Sequence, residues 1–130
     1  MKVLLIEDNP TLLYTYQIKL VINGFEVLTA ADGEEGLSTA LQNRPDLILL
    51  DILLPKMDGF VLMQKLRENS WGKTVPIIIL TNLDTNDKIT QIIAENKPSG
   101  YLIKANTTPE EVVNHVREVL KMQAPTKSGS

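Results

Sequence analysis

Five polar side chains with the right chemistry for phosphoryl transfer each stand at the end of a short apolar run. They are three acids, a hydroxyl and an amine: Glu7, Asp8, Asp51, Thr81 and Lys104. An all-oxygen acidic cluster without histidine or cysteine suits Mg²⁺, which takes few protein carboxylates and keeps several waters. A metal, an ammonium and a hydroxyl can hold a phosphoryl group, and Asp51 could be the nucleophile that forms an aspartyl phosphate. The competing interpretation is a structural Lys104–Asp51 ion pair, which leaves the other three residues unexplained.

The segment that must position Asp51 is the apolar run at residues 47–50, in which polar and apolar side chains do not alternate. Such a run is typical of a strand covered on both faces of a parallel sheet, although periodicity alone does not separate it from a buried helix. Pro55, Asp58 and Gly59 then end the pattern. Asp51 would lie at the carboxyl end of a central strand, where open α/β sheets bind ligands. From this segment alone, a solvated charge that merely ends the strand is an equally good interpretation.

Apolar runs and helical patterns alternate along the whole chain. Strands are predicted around residues 3–6, 25–28, 47–50, 76–80 and 101–103. The predicted helices carry these inward-facing residues, in chain order: Leu12, Leu13, Tyr16, Leu20 and Val21; Leu37, Ala40 and Leu41; Phe60, Leu62, Met63 and Leu66; Ile89, Ile92 and Ile93; Val112, Val116, Val119 and Leu120. The predicted caps are Asp32 for the second helix, one of Asp84, Thr85 and Asn86 for the fourth, and Thr108 for the fifth. This alternation predicts an α/β fold, (βα)5, with a doubly wound parallel five-stranded sheet.

The order of the strands decides whether the five polar side chains meet. The common order for such a sheet is 2-1-3-4-5, with its switch point between the first and third strands. In that order the strands that end at Glu7-Asp8 and at Asp51 are neighbours. Thr81 ends the next strand, and Lys104 ends the one beyond it. We therefore expect the five residues to converge at one rim of the sheet. Chance is a poor explanation for five such side chains at one place.

Several motifs stand in the order and approximate spacing of a known family. They are Glu7-Asp8, Asp51-Ile52-Leu53-Leu54-Pro55-Lys56-Met57-Asp58-Gly59, Leu80-Thr81 and Tyr101-Leu102-Ile103-Lys104. Through these motifs the chain, from residue 2 to about 122, resembles the CheY-like receiver domains of two-component response regulators, which have a flavodoxin-like strand order. The resemblance implies a receiver domain at residues 1–122 and a flexible C-terminal tail at 123–130. It also implies a phosphoacceptor protein rather than an enzyme, one that catalyses only its own phosphotransfer and slow self-dephosphorylation.

The resemblance implies a role for each residue of the cluster. Asp51 would accept phosphate from a sensor histidine kinase or a phosphotransfer protein. Asp8 and Asp51 would bind Mg²⁺ directly, together with the main-chain carbonyl of Leu53. Glu7 would act on the metal largely through water, and Lys104 would hold the phosphoryl group.

The resemblance also implies a switch formed by Thr81 and Tyr101. The Thr81 hydroxyl would turn inward to the phosphoryl group, and Tyr101 would change rotamer as Thr81 moves. Tyr101 is also consistent with an ordinary strand aromatic half packed on the last helix. The switch would control binding to a downstream protein or output domain. The family commonly dimerises through the face formed by the fourth helix, the fifth strand and the fifth helix, so a homodimer is a further candidate partner. A stand-alone receiver and part of a longer regulator are both open.

Four residues depart from the family pattern or are unusual within it. Ala105 follows Lys104 where the family usually has a proline in a cis peptide, so we predict a trans bond and a locally shifted loop. Asn82 stands where the family prefers a small residue, and its amide would crowd or hydrogen-bond the phosphoryl pocket. Leu53 and Leu83 place apolar groups where the attacking water would approach. They predict slow self-dephosphorylation.

Composition and charge exclude several classes of protein. The 130 residues fit one domain, and an apolar content of 43% favours a packed core over disorder. The net charge of −3 provides no basic footprint for direct nucleic-acid binding. The absence of cysteine excludes disulfides, thiol catalysis and cysteine-based zinc sites. No apolar run is long enough to span a bilayer, so we expect a cytoplasmic protein without membrane contact.

Three other functions compete with a phosphorylated receiver. A Mg²⁺-dependent phosphohydrolase with an aspartyl nucleophile, resembling the haloacid dehalogenases, would need a second aspartate two residues later, where this chain has Leu53. A flavodoxin-like flavin carrier would need a phosphate cradle after Ile6, which the sequence lacks. The third is a receiver-like interaction module that is not phosphorylated. The complete acid, threonine and lysine set argues against it.

Overall fold

Five strands and five helices alternate in the computed structural model, which describes residues 1–83 and 86–123. The strands are β1 (Lys2–Ile6), β2 (Glu26–Ala30), β3 (Leu47–Leu50), β4 (Ile77–Thr81) and β5 (Gly100–Ile103). The helices are α1 (Pro10–Ile22), α2 (Gly33–Asn43), α3 (Gly59–Glu68), α4 (Asp87–Asn96) and α5 (Pro109–Gln123), with a short 3-10 turn over Lys104–Asn106. Since α5 includes Gln123, it takes in the first residue of the predicted tail, and the rest of that tail, residues 124–130, lies outside the described residues.

The five strands form one sheet in the order β2-β1-β3-β4-β5, and every pair of neighbours is parallel. This confirms the predicted (βα)5 doubly wound fold. β3 lies at the centre, and all four of its residues are buried, as expected for a strand with helices on both faces. β2 lies at one edge of the sheet, and its residues are more exposed to solvent than those of β1 or β3.

The sheet separates two apolar cores because side chains alternate between its faces. Leu4 and Ile6 of β1 pack with α2 and α3 in one core. Val3 and Leu5 of the same strand pack with α1 and α5 in the other. The central strands are therefore fixed from both sides, which holds their carboxyl ends in place. Among the described residues, no helix combines the length and the apolar character that crossing a membrane requires.

Side-chain caps begin the helices where the sequence predicts them. Asp32 accepts a hydrogen bond from the Glu35 N–H, and Asn86 accepts one from the Ile89 N–H. Thr108 and Glu111 form a reciprocal capping box at the start of α5. The two other candidate caps for α4, Asp84 and Thr85, lie outside the described residues.

The predicted inward faces of α1 and α2 are wrong at one residue each. Val21 of α1 is 53% exposed, because the helix buries the line through Tyr16 and Leu20 instead. Leu41 of α2 is 38% exposed, because the small residues Gly33, Gly36 and Ala40 face the core. The hydrophobic pattern of α2 did not show that its closest contact with the sheet is made by glycine and alanine.

The predicted apolar stripe of α4 is also less buried than expected. Its three isoleucines, Ile89, Ile92 and Ile93, are only half-buried, and the one buried residue of this helix is Asn96. The Asn96 side chain donates back to the Ile92 carbonyl, which satisfies its buried amide. α4 is therefore held to the sheet by less apolar burial than α3 or α5.

Arg67 of α3 joins that helix to the segment after it and to the end of α4. Its guanidinium donates to the main-chain carbonyls of Asn96 (2.9 Å), Gly72 (2.9 Å), Val75 (2.7 Å) and Lys97 (3.2 Å). Burial lowers the pKa of Arg67, but a guanidinium remains charged in proteins. Because two of these carbonyls belong to the negative end of the α4 dipole, that dipole stabilises the cation there.

Candidate functional site

The carboxyl ends of β1, β3, β4 and β5 lie at one rim of the sheet. Ile6 pairs with Leu50 and Thr81 pairs with Ile103, while Leu50 pairs with Ile79, so β4 and β5 extend two residues beyond β1 and β3. The Asp51 N–H donates to the Ile6 carbonyl over 3.1 Å, which fixes the first residue after β3 against the end of β1. The strand order therefore places the predicted polar residues at the same edge.

Lys104 reaches two carboxylates across this rim. Its Nζ lies 2.6 Å from Asp51 Oδ2 and also forms an ion pair with Glu7. The three side chains are 10%, 5% and 2% exposed for Lys104, Asp51 and Glu7, respectively. Residues separated by up to 97 positions in the chain, Glu7 and Lys104, thus form one buried charged group.

The three acids form a group that fits a hard metal ion. Glu7, Asp8 and Asp51 each offer a carboxylate oxygen, and these oxygens all lie within 4.8 Å of one another. Glu7 and Asp51 are buried, whereas Asp8 is exposed to solvent. One ammonium does not balance three carboxylates, so the group has an excess of negative charge. An oxygen-only donor set with excess negative charge is suited to Mg²⁺.

Burial and charge shift the pKa values within this group. Burial raises the pKa of Glu7 and the nearby Asp51 charge raises it further, while hydrogen bonds from Lys104 and from the Asn9 N–H offset part of that rise. Burial alone would lower the pKa of Lys104, but hydrogen bonds to Asp51 and Glu7 and the charges of both carboxylates outweigh it. The net pKa of Lys104 is raised, so it stays a cation at neutral pH.

The loop after β3 holds the other oxygen of Asp51. The Leu53 N–H donates to Asp51 Oδ1 over 3.1 Å, and the Gly59 N–H donates to the Ile52 carbonyl over 2.9 Å. Glycine is required at the start of α3, because a Cβ at Gly59 would lie 2.6 Å from the Asp51 carbonyl oxygen. Asp58 caps the helix beside it. Both oxygens of Asp51 are therefore oriented by neighbours before any ligand binds.

Thr81 and Tyr101 both contact the main chain of Leu83. Thr81 is fully buried, and its hydroxyl oxygen accepts a hydrogen bond from the Leu83 N–H over 3.3 Å. The Tyr101 hydroxyl donates to the Leu83 carbonyl over 3.0 Å. Within the described part of the chain, the hydrogen bond found for the Thr81 hydroxyl is this one rather than a bond to Asp51. Sequence reasoning missed this link, because main-chain groups of Leu83 carry it.

The side chains of Leu53 and Leu83 line a cavity of about 540 Å³ beside the acidic group. Asp8 and Asp58 line it as well, and Phe60 and Ile89 are among its apolar lining residues. Water that approached Asp51 from this side would pass apolar groups. The slow self-dephosphorylation expected from the two leucines stays a prediction.

The peptide bond after Lys104 has the predicted trans geometry, while the predicted shift of the loop stays a prediction. None of the described peptide bonds is cis, so the Lys104–Ala105 bond is trans, and Lys104–Asn106 forms a 3-10 turn. The Ala105 N–H donates to Asn82 Oδ1 over 2.9 Å. The single histidine of the sequence, His115, is exposed on α5, and the single tryptophan, Trp71, is half-buried against the core.

Comparison with known proteins decides the family. The protein-family model described as "Response regulator receiver domain" matches residues 3–117. The chain belongs to the response regulator receiver domain family. It is 39% identical over 121 residues to the "Probable transcriptional regulator ycf27" of Porphyridium aerugineum, covering 92% of this chain and 48% of that protein. It is 36% identical over 121 residues to the "Alkaline phosphatase synthesis transcriptional regulatory protein PhoP" of Bacillus subtilis, covering 92% of this chain and 48% of that protein. This receiver domain thus spans about half the length of the curated relatives it matches.

Solved structures agree with that assignment. Chemotaxis response regulator CheY4 of Vibrio cholerae superposes with a TM-score of 0.82 at 33% identity, covering 91% of this chain and 97% of that one. The BeF3-activated N-terminal receiver domain of Klebsiella pneumoniae RstA superposes with a TM-score of 0.81 at 29% identity, covering 93% of this chain and 99% of that one. The chain is therefore a CheY-like receiver domain of a two-component response regulator.

Proposed function

We propose that this receiver domain accepts a phosphoryl group on Asp51 from the phosphohistidine of a sensor histidine kinase or a phosphotransfer protein. The observation that carries the proposal is the contact of 2.6 Å between Lys104 Nζ and Asp51 Oδ2, next to three clustered carboxylates. A cation beside a buried nucleophilic carboxylate is already in place for the oxygens of an incoming phosphoryl group. The family assignment provides the class of donor.

In this proposal, Asp8, Asp51 and the main-chain carbonyl of Leu53 would hold Mg²⁺, and Glu7 would act through water. When bound, the metal supplies positive charge that offsets the carboxylates and the phosphoryl oxygens. A carboxylate oxygen of Asp51 attacks phosphorus, the phosphorus–nitrogen bond of phosphohistidine breaks, and its electron pair returns to the imidazole. Lys104 then moves from Asp51 Oδ2 to an oxygen of the new acyl phosphate.

Switching would follow from the hydrogen bonds at Leu83. New negative charge on Asp51 favours a donor, so the Thr81 hydroxyl turns toward it and leaves the Leu83 N–H. Movement of Leu83 would break the bond from Tyr101 to the Leu83 carbonyl and free Tyr101 to change rotamer. This links the site to the face formed by α4, β5 and α5, and only limited apolar burial holds α4.

We further propose that this face binds a downstream protein, an output domain or a second copy of the chain. The matched relatives are described as transcriptional regulators and are about twice as long as the matched region. An output domain beyond the receiver is therefore the partner that the comparisons favour. Direct binding of nucleic acid by the receiver itself is disfavoured by its net charge of −3.

The phosphohydrolase and the unphosphorylated module are the weaker alternatives. Two residues after Asp51, where the hydrolase needs an acid, Leu53 exposes 53% of its surface and has no proton to donate. An unphosphorylated module gives no reason for Lys104, Asp51 and Glu7 to be buried together, since removing charges from water is costly.

Treatment with acetyl phosphate and Mg²⁺, followed by mass spectrometry, tests the proposal. The parent should gain one labile phosphoryl group, whereas Asp51→Asn should gain none. Asp46→Asn is a matched control, because Asp46 precedes β3 at the opposite end of the strand, and it should be labelled like the parent. A parent that stays unlabelled, or an Asp51→Asn variant that is labelled equally, would overturn the assignment.

A further inference from the structure

The hydrogen bond from the Ala105 N–H to Asn82 Oδ1 joins the two segments that follow β4 and β5. Asn82 comes directly after Thr81, and Ala105 comes directly after Lys104. The bond length is 2.9 Å. It therefore connects the neighbours of two proposed site residues at the rim of the sheet.

This bond completes the anchoring of the turn that carries Lys104. The first N–H groups of a helical turn have no partner within it, so the Ala105 N–H needs an outside acceptor. At the other side of the turn, the Thr107 N–H donates to the Lys104 carbonyl over 3.3 Å, and the Thr107 hydroxyl donates to the Ile103 carbonyl over 2.8 Å. Asn82 and Thr107 thus hold the turn from both sides.

The two residues depend on each other chemically. Proline has no N–H, so a proline at position 105 could not donate to Asn82. Alanine at position 82 would have no side-chain oxygen to accept. Both residues are exposed to solvent, where a hydrogen bond contributes little to the stability of the whole fold. Its effect is therefore expected in the placement of the turn rather than in global stability.

We propose that Asn82 is a positioning residue, which holds the Lys104–Asn106 turn through the Ala105 N–H and so keeps the Lys104 ammonium against Asp51. The proposal rests on the proposed function, because it assumes that Lys104 acts on the phosphoryl group. Asn82 itself does not need to touch that group. The pair replaces a proline-containing turn with a side-chain bond across the rim.

Hydrogen exchange at the Ala105 amide, measured by NMR, reports the bond directly. In Asn82→Ala we expect faster exchange at Ala105 and slower labelling by acetyl phosphate, each by roughly fivefold, the factor for a hydrogen bond of ordinary net strength. The melting temperature should change little. Ala105→Ser keeps the N–H and should retain the protection of the parent.

A double-mutant cycle separates this role from general damage to the loop. Ala105→Pro should slow labelling when Asn82 is present and should add little in the Asn82→Ala background, because the bond is already absent there. Normal labelling of Asn82→Ala despite lost Ala105 protection would overturn the proposal, as would equal effects of Ala105→Pro in both backgrounds. If the parent itself is not labelled on Asp51, the proposed function fails instead, so the two failures are distinguishable.

Discussion

Replacing Asp8 with asparagine removes one charge from the acidic group while nearly keeping the shape of the side chain. The carboxylate oxygens of Glu7, Asp8 and Asp51 lie within 4.8 Å of one another, where two unit charges repel by about 3.5 kcal/mol at an effective dielectric constant of 20 and by about 0.9 kcal/mol in water. Asp8 is exposed, so the lower figure applies to each of its two pairs. Lost attraction to Lys104 offsets part of the gain. Without metal, Asp8→Asn should therefore be more stable than the parent by about 1 kcal/mol.

Magnesium should reverse that order. A ligand that binds only the folded protein adds about 2.7 kcal/mol at a concentration one hundred times its dissociation constant. The parent should gain this stabilisation, whereas Asp8→Asn loses a charged metal ligand and should gain much less. With saturating Mg²⁺ the parent should become the more stable of the two.

Urea unfolding followed by fluorescence of Trp71 provides the assay, because this single tryptophan is half-buried against the core. Each protein is unfolded in EDTA and in MgCl₂, with ionic strength matched by NaCl. Glu118→Gln, an exposed change on α5, is the charge control and should follow the parent. A variant less stable than the parent in EDTA, or equal stabilisation of both by Mg²⁺, would refute the reasoning.

Three further predictions follow from the fold and the site. Arg67→Met leaves four main-chain carbonyls without their donor and should lower the free energy of unfolding by roughly 2–3 kcal/mol, measured by urea denaturation. Because the pKa of Glu7 is raised in the folded protein, ionisation of Glu7 costs stability. Below the ordinary carboxyl range, the parent and Glu7→Gln should therefore be equally stable. As pH rises from that range through the folded pKa of Glu7, the parent should become less stable than Glu7→Gln. Leu53→Asn combined with Leu83→Asn should shorten the lifetime of the aspartyl phosphate by roughly tenfold, followed by loss of ³²P label, because water gains polar partners in the cavity.

Each of these predictions has a matched control in the chain. Lys65→Met removes an exposed cation from the same helix as Arg67 and should leave stability nearly unchanged; an equal loss would show that any cation on α3 suffices. Glu34→Gln, at an exposed acid of α2, should show no comparable pH dependence, and a parallel curve would remove the assignment to Glu7. Leu41→Asn lies outside the cavity and should not change the phosphate lifetime.

The sequence predicted the parts of the structure that depend on strand ends. The unbroken apolar run before Asp51 favoured a buried strand, and the alternation of elements predicted a parallel sheet. In the common strand order of such a sheet, Lys104 and Asp51 meet at one rim. The face of α2 was less predictable, because glycine and alanine make its closest contacts and Leu41 does not. Hydrophobicity records which residues avoid water, but not how closely two elements approach.

The missed contacts share one physical origin. Arg67 donates to main-chain carbonyls, and the side chains of Thr81 and Tyr101 bond to the main chain of Leu83. No periodicity encodes where those backbone groups lie, since loop positions depend on the elements at both ends. The amide of Asn82 was expected to crowd or hydrogen-bond the phosphoryl pocket, and its acceptor role toward Ala105 was visible only once the turn was placed.

The meeting of the strand ends at one rim has a consequence for protein synthesis. Glu7 is translated near the beginning and Lys104 only after most of the polypeptide, yet they share one ion-paired group. A nascent chain emerging from the ribosome contains Asp51 long before β5 can dock beside β4. Under the proposed function, we therefore expect competence to receive phosphate to arise only after the final strand has joined, so that unfinished chains do not compete with mature protein for a kinase.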